Sequence, residues 1–443
     1  MPGGDTAPTL TAPSKLGNYS NVGDGTSPLH KYKERCMQND NIREFLESKK
    51  SEATEFLSDL IRFPSLSGTG EAEIQDFLAD KFKAIGLLVK TELLPEKIKE
   101  HPAYTRASQE LDYRSRPNLY AFLPAESKES VILCAHSDVV PAADWPDAFK
   151  PKVEGDRIIG RGAADDKGQI VSIYFALLAL KELRLKSKKN VEVQVVIEEE
   201  VGGNGALAAI LSGHKADGVI VLESTDLAIC PANRGAVWYR IEVTGKPVHM
   251  GRIREGVNAI EKMAEIMKEL RRYEKKLIAE SDHPLFREYQ QPVQVNIGTI
   301  RGGDWPATVA GWAEMEGGVG FLPNKKLEQV QDELRALLTD FPDPWTREHS
   351  HVSFPKLHND AYETLVNDPI VTGLAEAAGL SGLTPKVTGF IVSCDARLYN
   401  RVGKMPTVVF GAGSIKDAHS RGENISISEV LKASEVLVNY LIL

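Results

Sequence analysis

Hydrophobic positions along the chain recur with two periods. Residues 54–63 place Phe56, Leu57, Leu60 and Ile61 on one helical face before Pro64 halts the run. Residues 71–85 put Ile74, Phe77, Leu78, Phe82 and Ile85 on a second stripe, which Gly86 is placed to close. Short apolar runs of strand length follow at 131–135, 191–197 and 218–222, with a helix signal at 168–183 between the first two. Strands alternating with helices predict an α/β domain built on a mostly parallel central sheet with helices on both faces.

The rhythm changes near residue 235. A strand at 237–243 precedes a helix on which Ile260, Met263, Met267 and Leu270 share a face. Strands at 293–300 and 312–319 come next, then a helix carrying Leu327, Val330, Leu334 and Leu337, then a strand at 351–354. The order β-α-β-β-α-β is the ferredoxin-like α+β pattern. After it, Asp368-Pro369 reads as a helix cap, Ser426 with Glu429 as a capping box, and 406–410 as one more strand of the first domain. The expected organisation is an extension over residues 1–40, a larger domain over 41–234 and 353–443, and a smaller domain inserted at 235–352.

Composition narrows the class. In 443 residues, 42% are hydrophobic and 26% charged, an ordinary globular balance that excludes disordered and fibrous chains. The net charge of −9 comes without a basic run, so neither nucleic acid nor an anionic membrane is the expected partner. The longest apolar stretch, near 173–180, falls far short of the ~20 residues of a spanning helix. Cys36, Cys134, Cys230 and Cys394 are scattered singly, which fits reduced thiols in a cytoplasmic protein better than a disulfide framework.

Candidate chemistry gathers at the ends of the predicted strands, where α/β folds place their sites. The run VILCA leads into His136-Ser137-Asp138, a spacing that lets Asp138 hold one ring nitrogen of His136 and leave the other for a metal. The loop GRGAADDKG at 160–168 has glycines but no phosphate-loop lysine pattern, and its paired aspartates suit a cation or a helix start. VEVQVVI delivers Glu198-Glu199-Glu200, three carboxylates that are costly at a strand end unless a cation, protons or solvent compensates. Glu223 ends the next strand and His419 follows PTVVFGAG. Two imidazoles and three carboxylates, His136, Asp165, Glu200, Glu223 and His419, suit two divalent ions sharing a carboxylate.

In this order HSDVVP, GRGAADDKG, EEEVGGNG, VLES, GKPVHMG and AHS resemble the M20 family of metallopeptidases and amidohydrolases. The wording is closest to the branch of acetylornithine deacetylase and succinyl-diaminopimelate desuccinylase. The resemblance implies a dimetal catalytic domain with an inserted lid and dimerisation domain, and two divalent ions, Zn²⁺ first, Mn²⁺ or Co²⁺ in some members. It implies that His136 and Glu223 hold one ion, Glu200 and His419 the other, and that Asp165 bridges them. Asp138 then supports His136 and Glu199 is the general base. His249, in GKPVH, is implied to reach across a homodimer interface formed by residues 235–352 and donate to the developing oxyanion. Arg234, Arg397 and Thr308 fall in segments that lie near substrate in related enzymes, and an arginine there would suit a carboxylate-bearing substrate.

The implied reaction is hydrolysis of the C–N bond of an N-acyl amino acid or similar small amide by water activated between the ions. A metallo-dipeptidase or aminopeptidase, or a hydrolytic deaminase of a small aromatic amine, are the alternatives. Asp166 stands where many deacylases carry Met and Thr308 where Asn is frequent, departures that bear on substrate more than on chemistry. The resemblance leaves residues 1–40 and the 96–117 insert unassigned.

Overall fold

The computed structural model describes residues 28–106 and 111–443. Its first element is the helix Pro28–Ser48, so 28–40 join the larger domain, and residues 1–27 of the expected extension lie outside the described residues. Ile42 and Leu46 of this helix are buried, and Arg43 reaches the buried Glu435 of the final helix at 3.2 Å. The helices Lys50–Arg62 and Ala72–Ala84 follow where their stripes predict them, with Gly86 at φ +93° after the second.

A nine-stranded sheet organises the larger domain. Four central strands, Asn190–Val196, Ser130–His136, Gly218–Leu222 and Thr407–Phe410, are parallel and lie side by side in that order. Antiparallel strands flank them: Pro117–Leu123 and Leu88–Leu93 extend one side, and Ile229–Asn233 with Tyr362–Glu363 the other, where Val387–Phe390 pairs parallel with Ile229–Asn233. The sheet is therefore mixed, with a parallel centre and one further parallel pair on its flank. Leu88–Leu93 is an edge strand with no fully buried residue, so it carries no apolar run for a pattern to find.

The helix Gly168–Glu182 is buried from Gly168 to Leu180, packed between the sheet and the helices Lys50–Arg62 and Ile427–Ile442. That position explains why it is apolar on every side. Ser426 caps the final helix by accepting from the Glu429 N–H, whereas the Glu429 carboxylate turns away to the Gly413 N–H at 3.2 Å, so only half of the expected capping box forms. Among the described residues no helix is long and apolar enough to cross a membrane.

The chain passes to the smaller domain at Arg234, between Ile229–Asn233 in the large sheet and Gly235–Thr244 in a second sheet. That sheet runs Gln294–Gly302, Trp312–Phe321, Gly235–Thr244, Ser350–Ser353, all antiparallel, with the helices Ala259–Ala279 and Leu327–Thr339 packed on it, the expected ferredoxin-like order. His358–Asn359 still pairs with Gly235–Thr244, so the boundary expected at 352 moves past Asn359. In Ala259–Ala279 the buried stripe is Met263, Ile266, Leu270, Tyr273 and Leu277, and Ile260 faces outward. The segment 283–289 returns to the larger domain: the Phe286 ring covers Gly389, and the Tyr289 hydroxyl donates to the Gly389 carbonyl at 2.9 Å.

Candidate metal centre

The strand Ser130–His136 ends with the His136 imidazole buried among carboxylates. Nδ1 lies 3.0 Å from the Asp138 carbonyl oxygen, which can only accept, so Nδ1 carries a proton and Nε2 is the ring nitrogen turned to the carboxylates. That Nε2 is 3.0 Å from Asp165 Oδ1, while Asp165 Oδ2 is 3.1 Å from His419 Nε2. His419 Nε2 is also 2.9 Å from Glu200 Oε2. His136, Asp165 and Glu223 thus form one group and Asp165, Glu200 and His419 another, with ligand atoms in each within 4.8 Å of one another. Asp165 belongs to both.

Two supports hold this arrangement. The Asp138 carboxylate accepts from the backbone N–H of Glu199 at 3.1 Å and of Glu200 at 3.2 Å, tying the His136 strand to the Glu198-Glu199-Glu200 loop. Glu423, which has no exposed surface, accepts from the N–H groups of Ala164 and Asp165, each at 3.0 Å, and from Arg161 at 2.6 Å. Glu423 and Arg161 were not singled out by the sequence. Both lie in polar, aperiodic stretches, and only the fold brings them together.

Electrostatics expose a shortage of positive charge. Burial, with Asp395 next, pushes the Glu199 carboxyl well above the usual carboxylate range. Burial followed by Asp166 does the same to Glu223, and burial followed by Asp165 raises Glu200 to about 7. Asp165 goes down instead, because bonds from His136 and His419 outweigh its burial. Hydrogen bonds to Asp165 and Glu200 raise His419 to about 10. Carboxylates that favour protons beside imidazoles that favour charge are what a buried acidic cluster becomes without cations. Oxygen and imidazole donors, in two sets sharing one carboxylate, fit two divalent ions.

Residues 132–442 match peptidase family M20/M25/M40. The acetylornithine deacetylase of Aliivibrio salmonicida (strain LFI1238) is 31% identical over 322 residues, 71% of this chain and 81% of that protein. The N-formyl-4-amino-5-aminomethyl-2-methylpyrimidine deformylase of Bacillus subtilis (strain 168) is 27% identical over 340 residues, 71% of this chain and 79% of its own. The chain belongs to the M20 family. It is an M20-type hydrolase. A crystal structure of a tripeptidase from Staphylococcus aureus shares the fold, with a TM-score of 0.71 at 20% identity, over 89% of this chain and 98% of that one.

The other residues singled out in this M20 chain stand apart from the two donor groups. Glu199 belongs to neither, although His136, Glu223 and Glu200 all act on its charge. His249 is exposed in the smaller domain, where its Nδ1 accepts from the Gly251 N–H at 3.1 Å and its backbone bridges to Thr308. The fold thus brings His249 and Thr308 together. Arg234 binds the Gln294 side chain at 2.6 Å and lines a cavity of about 350 Å³ on the smaller domain with Trp238, Asn296 and Lys356. Arg397 is buried under the Glu199 loop, where it donates to the Gly202 carbonyl at 2.8 Å.

Proposed function

We propose that this chain is a two-metal amidohydrolase that removes the acyl group from an N-acyl amino acid or a similar small amide by cleaving its C–N bond. The observation that carries the reading is the sharing of Asp165 between two donor groups with Glu199 beside them and in neither. His136 and Glu223 would hold one ion, Glu200 and His419 the other, with Asp165 common to both and Zn²⁺ first among Zn²⁺, Mn²⁺ and Co²⁺. When bound, such ions lower the pKa of water and polarise a carbonyl oxygen.

Glu199 takes a proton from the attacking water and returns it to the leaving nitrogen, a role open to it because its oxygens are not committed to either donor group. Asp138 holds His136 and the backbone of Glu199 and Glu200 in one frame. His249 is assigned as donor to the developing oxyanion of the partner subunit's site, and Thr308 and Arg234 as substrate contacts. The named relatives, a deacetylase and a deformylase, support removal of an acyl group. The free, buried thiols of Cys134, Cys230 and Cys394 fit a reducing, cytoplasmic setting.

The test is a hydrolysis screen of the Zn²⁺- and Mn²⁺-loaded protein against N-acyl amino acids, dipeptides and small aromatic amides, repeated with Glu199→Ala. N-acyl amino acid turnover is expected for the wild type. The variant should retain two ions per chain and lose about 10²- to 10⁴-fold in kcat. Turnover that survives the substitution removes Glu199 from its role, and cleavage of dipeptides alone replaces the deacylase reading.

A further inference from the structure

Part of the 96–117 insert lies against the underside of the loop that presents Glu199 and Glu200. Within that loop Glu198 has no exposed surface and accepts three hydrogen bonds on its two carboxylate oxygens. Arg116, itself 4% exposed, donates to Glu198 Oε1 at 2.5 Å. The Tyr113 hydroxyl donates to Glu198 Oε2 at 2.9 Å, and Asn204 Nδ2 to the same oxygen at 3.0 Å. The Tyr104 hydroxyl lies 3.1 Å from that of Tyr113. Thr105 closes the cradle by exchanging backbone contacts with the Asn204 side chain, at 3.2 and 3.1 Å, and by packing on Gly202, where a Cβ would stand 2.4 Å from its side chain.

Glu198 has φ +62°, a left-handed conformation that a non-glycine residue keeps only where its surroundings over-determine it. That turn is what sends the next two N–H groups, of Glu199 and Glu200, to the two oxygens of Asp138. The Glu198 carbonyl also accepts from Gly203 N at 2.8 Å, and the Glu199 carbonyl from Gly202 N at 2.9 Å, so the loop closes back on Glu198 and Glu199. A side chain buried this completely, with an arginine, a tyrosine and an asparagine spent on it, is more than the turn alone needs.

We propose that Glu198 is a positioning residue for Glu199, and that Tyr104, Thr105, Tyr113 and Arg116 form, with Asn204, the clamp that holds it: Arg116, Tyr113 and Asn204 lock Glu198 in its left-handed turn and thereby aim the base. The inference rests on Glu199 being the base, and it assigns a role to the insert that the family resemblance leaves open. The clamp touches neither substrate nor ion, and acts only through the direction it imposes on the loop. A displacement of about 1 Å at a catalytic group costs on the order of 10²-fold in rate, so a small loosening is measurable.

The experiment uses the full, Zn²⁺-loaded chain and the N-acyl amino acid that the wild type cleaves best. Arg116→Met strands two buried carboxylates and is at risk of not folding, so the deciding variant is Tyr113→Phe, which removes one hydroxyl. Tyr273→Phe, which removes the Tyr273–Glu333 bond of the smaller domain, serves as the control of equal chemistry. Tyr113→Phe should lower kcat about tenfold or more, with KM and the count of two Zn²⁺ unchanged. It should also speed amide exchange at Gly202 and Gly203, and Tyr273→Phe should do none of these. A Tyr113→Phe protein that is less stable yet keeps wild-type kcat and amide protection overturns the proposal. If the wild type cleaves no member of the panel, the amidohydrolase reading fails first. Exchange at Gly202 and Gly203 then decides the clamp alone: faster exchange supports it, and unchanged exchange overturns it.

Discussion

Glu71 sits at the first residue before the helix Ala72–Ala84 with no exposed surface, accepting from the Gly68 N–H at 2.7 Å and from Arg116 at 3.0 Å. Burial and then Asp138 raise its carboxyl from 4.5 to about 7, against the pull of Arg116. The folded state therefore holds a proton that the unfolded state has released between pH 4.5 and 7. Through this group stability falls as pH rises across that window, by an amount on the order of 3 kcal/mol, and is flat above it. Glu71→Gln removes the titration and keeps an acceptor for Arg116. Its stability relative to the wild type should climb from pH 4.5 to 7 and then level off, as read by urea unfolding at each pH. Residues of this kind are invisible to pattern: Glu71 looks like a helix-start acid, and nothing in its neighbours in sequence says that it is buried.

The loop after His419 is an element held by one side chain. The strand Asn424–Ser426 pairs with Arg157–Ile159, and Glu423 just before it bonds Arg161 and the backbone that carries Asp165. Glu423→Ala leaves the Arg161 guanidinium buried without its carboxylate, which costs about 3–5 kcal/mol. Denaturant unfolding should show that loss, and Zn²⁺ titration should show weakened binding, because the N–H groups of Ala164 and Asp165 lose their acceptor. Amphipathic elements were the legible ones. The helix Leu327–Thr339 buries Val330, Leu334 and Leu338 and nearly repeats its sequence stripe. The stripe of Ala259–Ala279 turned instead, because the sheet it packs on selects Ile266 and Tyr273 over Ile260. Periodicity gives a helix its two faces, but which face wins at the margins depends on what is opposite.

On the scale of the molecule the smaller domain has an edge with no partner strand among the described residues. Gln294–Gly302 is the outer strand of its sheet, and Ile300, Trp305, Trp312, Met250 and Ile253 are large apolar side chains left 40–69% exposed. A nine-residue edge strand and such a set of exposed apolar residues are the features of an association surface. The proposed homodimer should sediment as two copies in analytical ultracentrifugation. Ile300→Asp combined with Trp305→Asp should give monomers, and kcat should fall by about 10²-fold or more if His249 serves the partner's site. Monomers with undiminished kcat would remove the cross-subunit role.

The sequence alone determined the local choices: where the amphipathic helices and the apolar strands lie, that one domain interrupts another, and which imidazoles and carboxylates end the strands. Those depend on period, caps and residue chemistry within a few positions of one another. Tertiary structure decided the rest: that the sheet is mixed, with antiparallel strands on both flanks, that Arg397 is buried, that Asp165 stands between two donor groups, and that Glu198 and Glu423 are anchors. Arg161 and Glu423 are 262 positions apart, and Arg116 and Glu198 are 82 apart. Their interactions draw strength from desolvation that neither partner has until the chain is folded, so no spacing in the sequence could announce them.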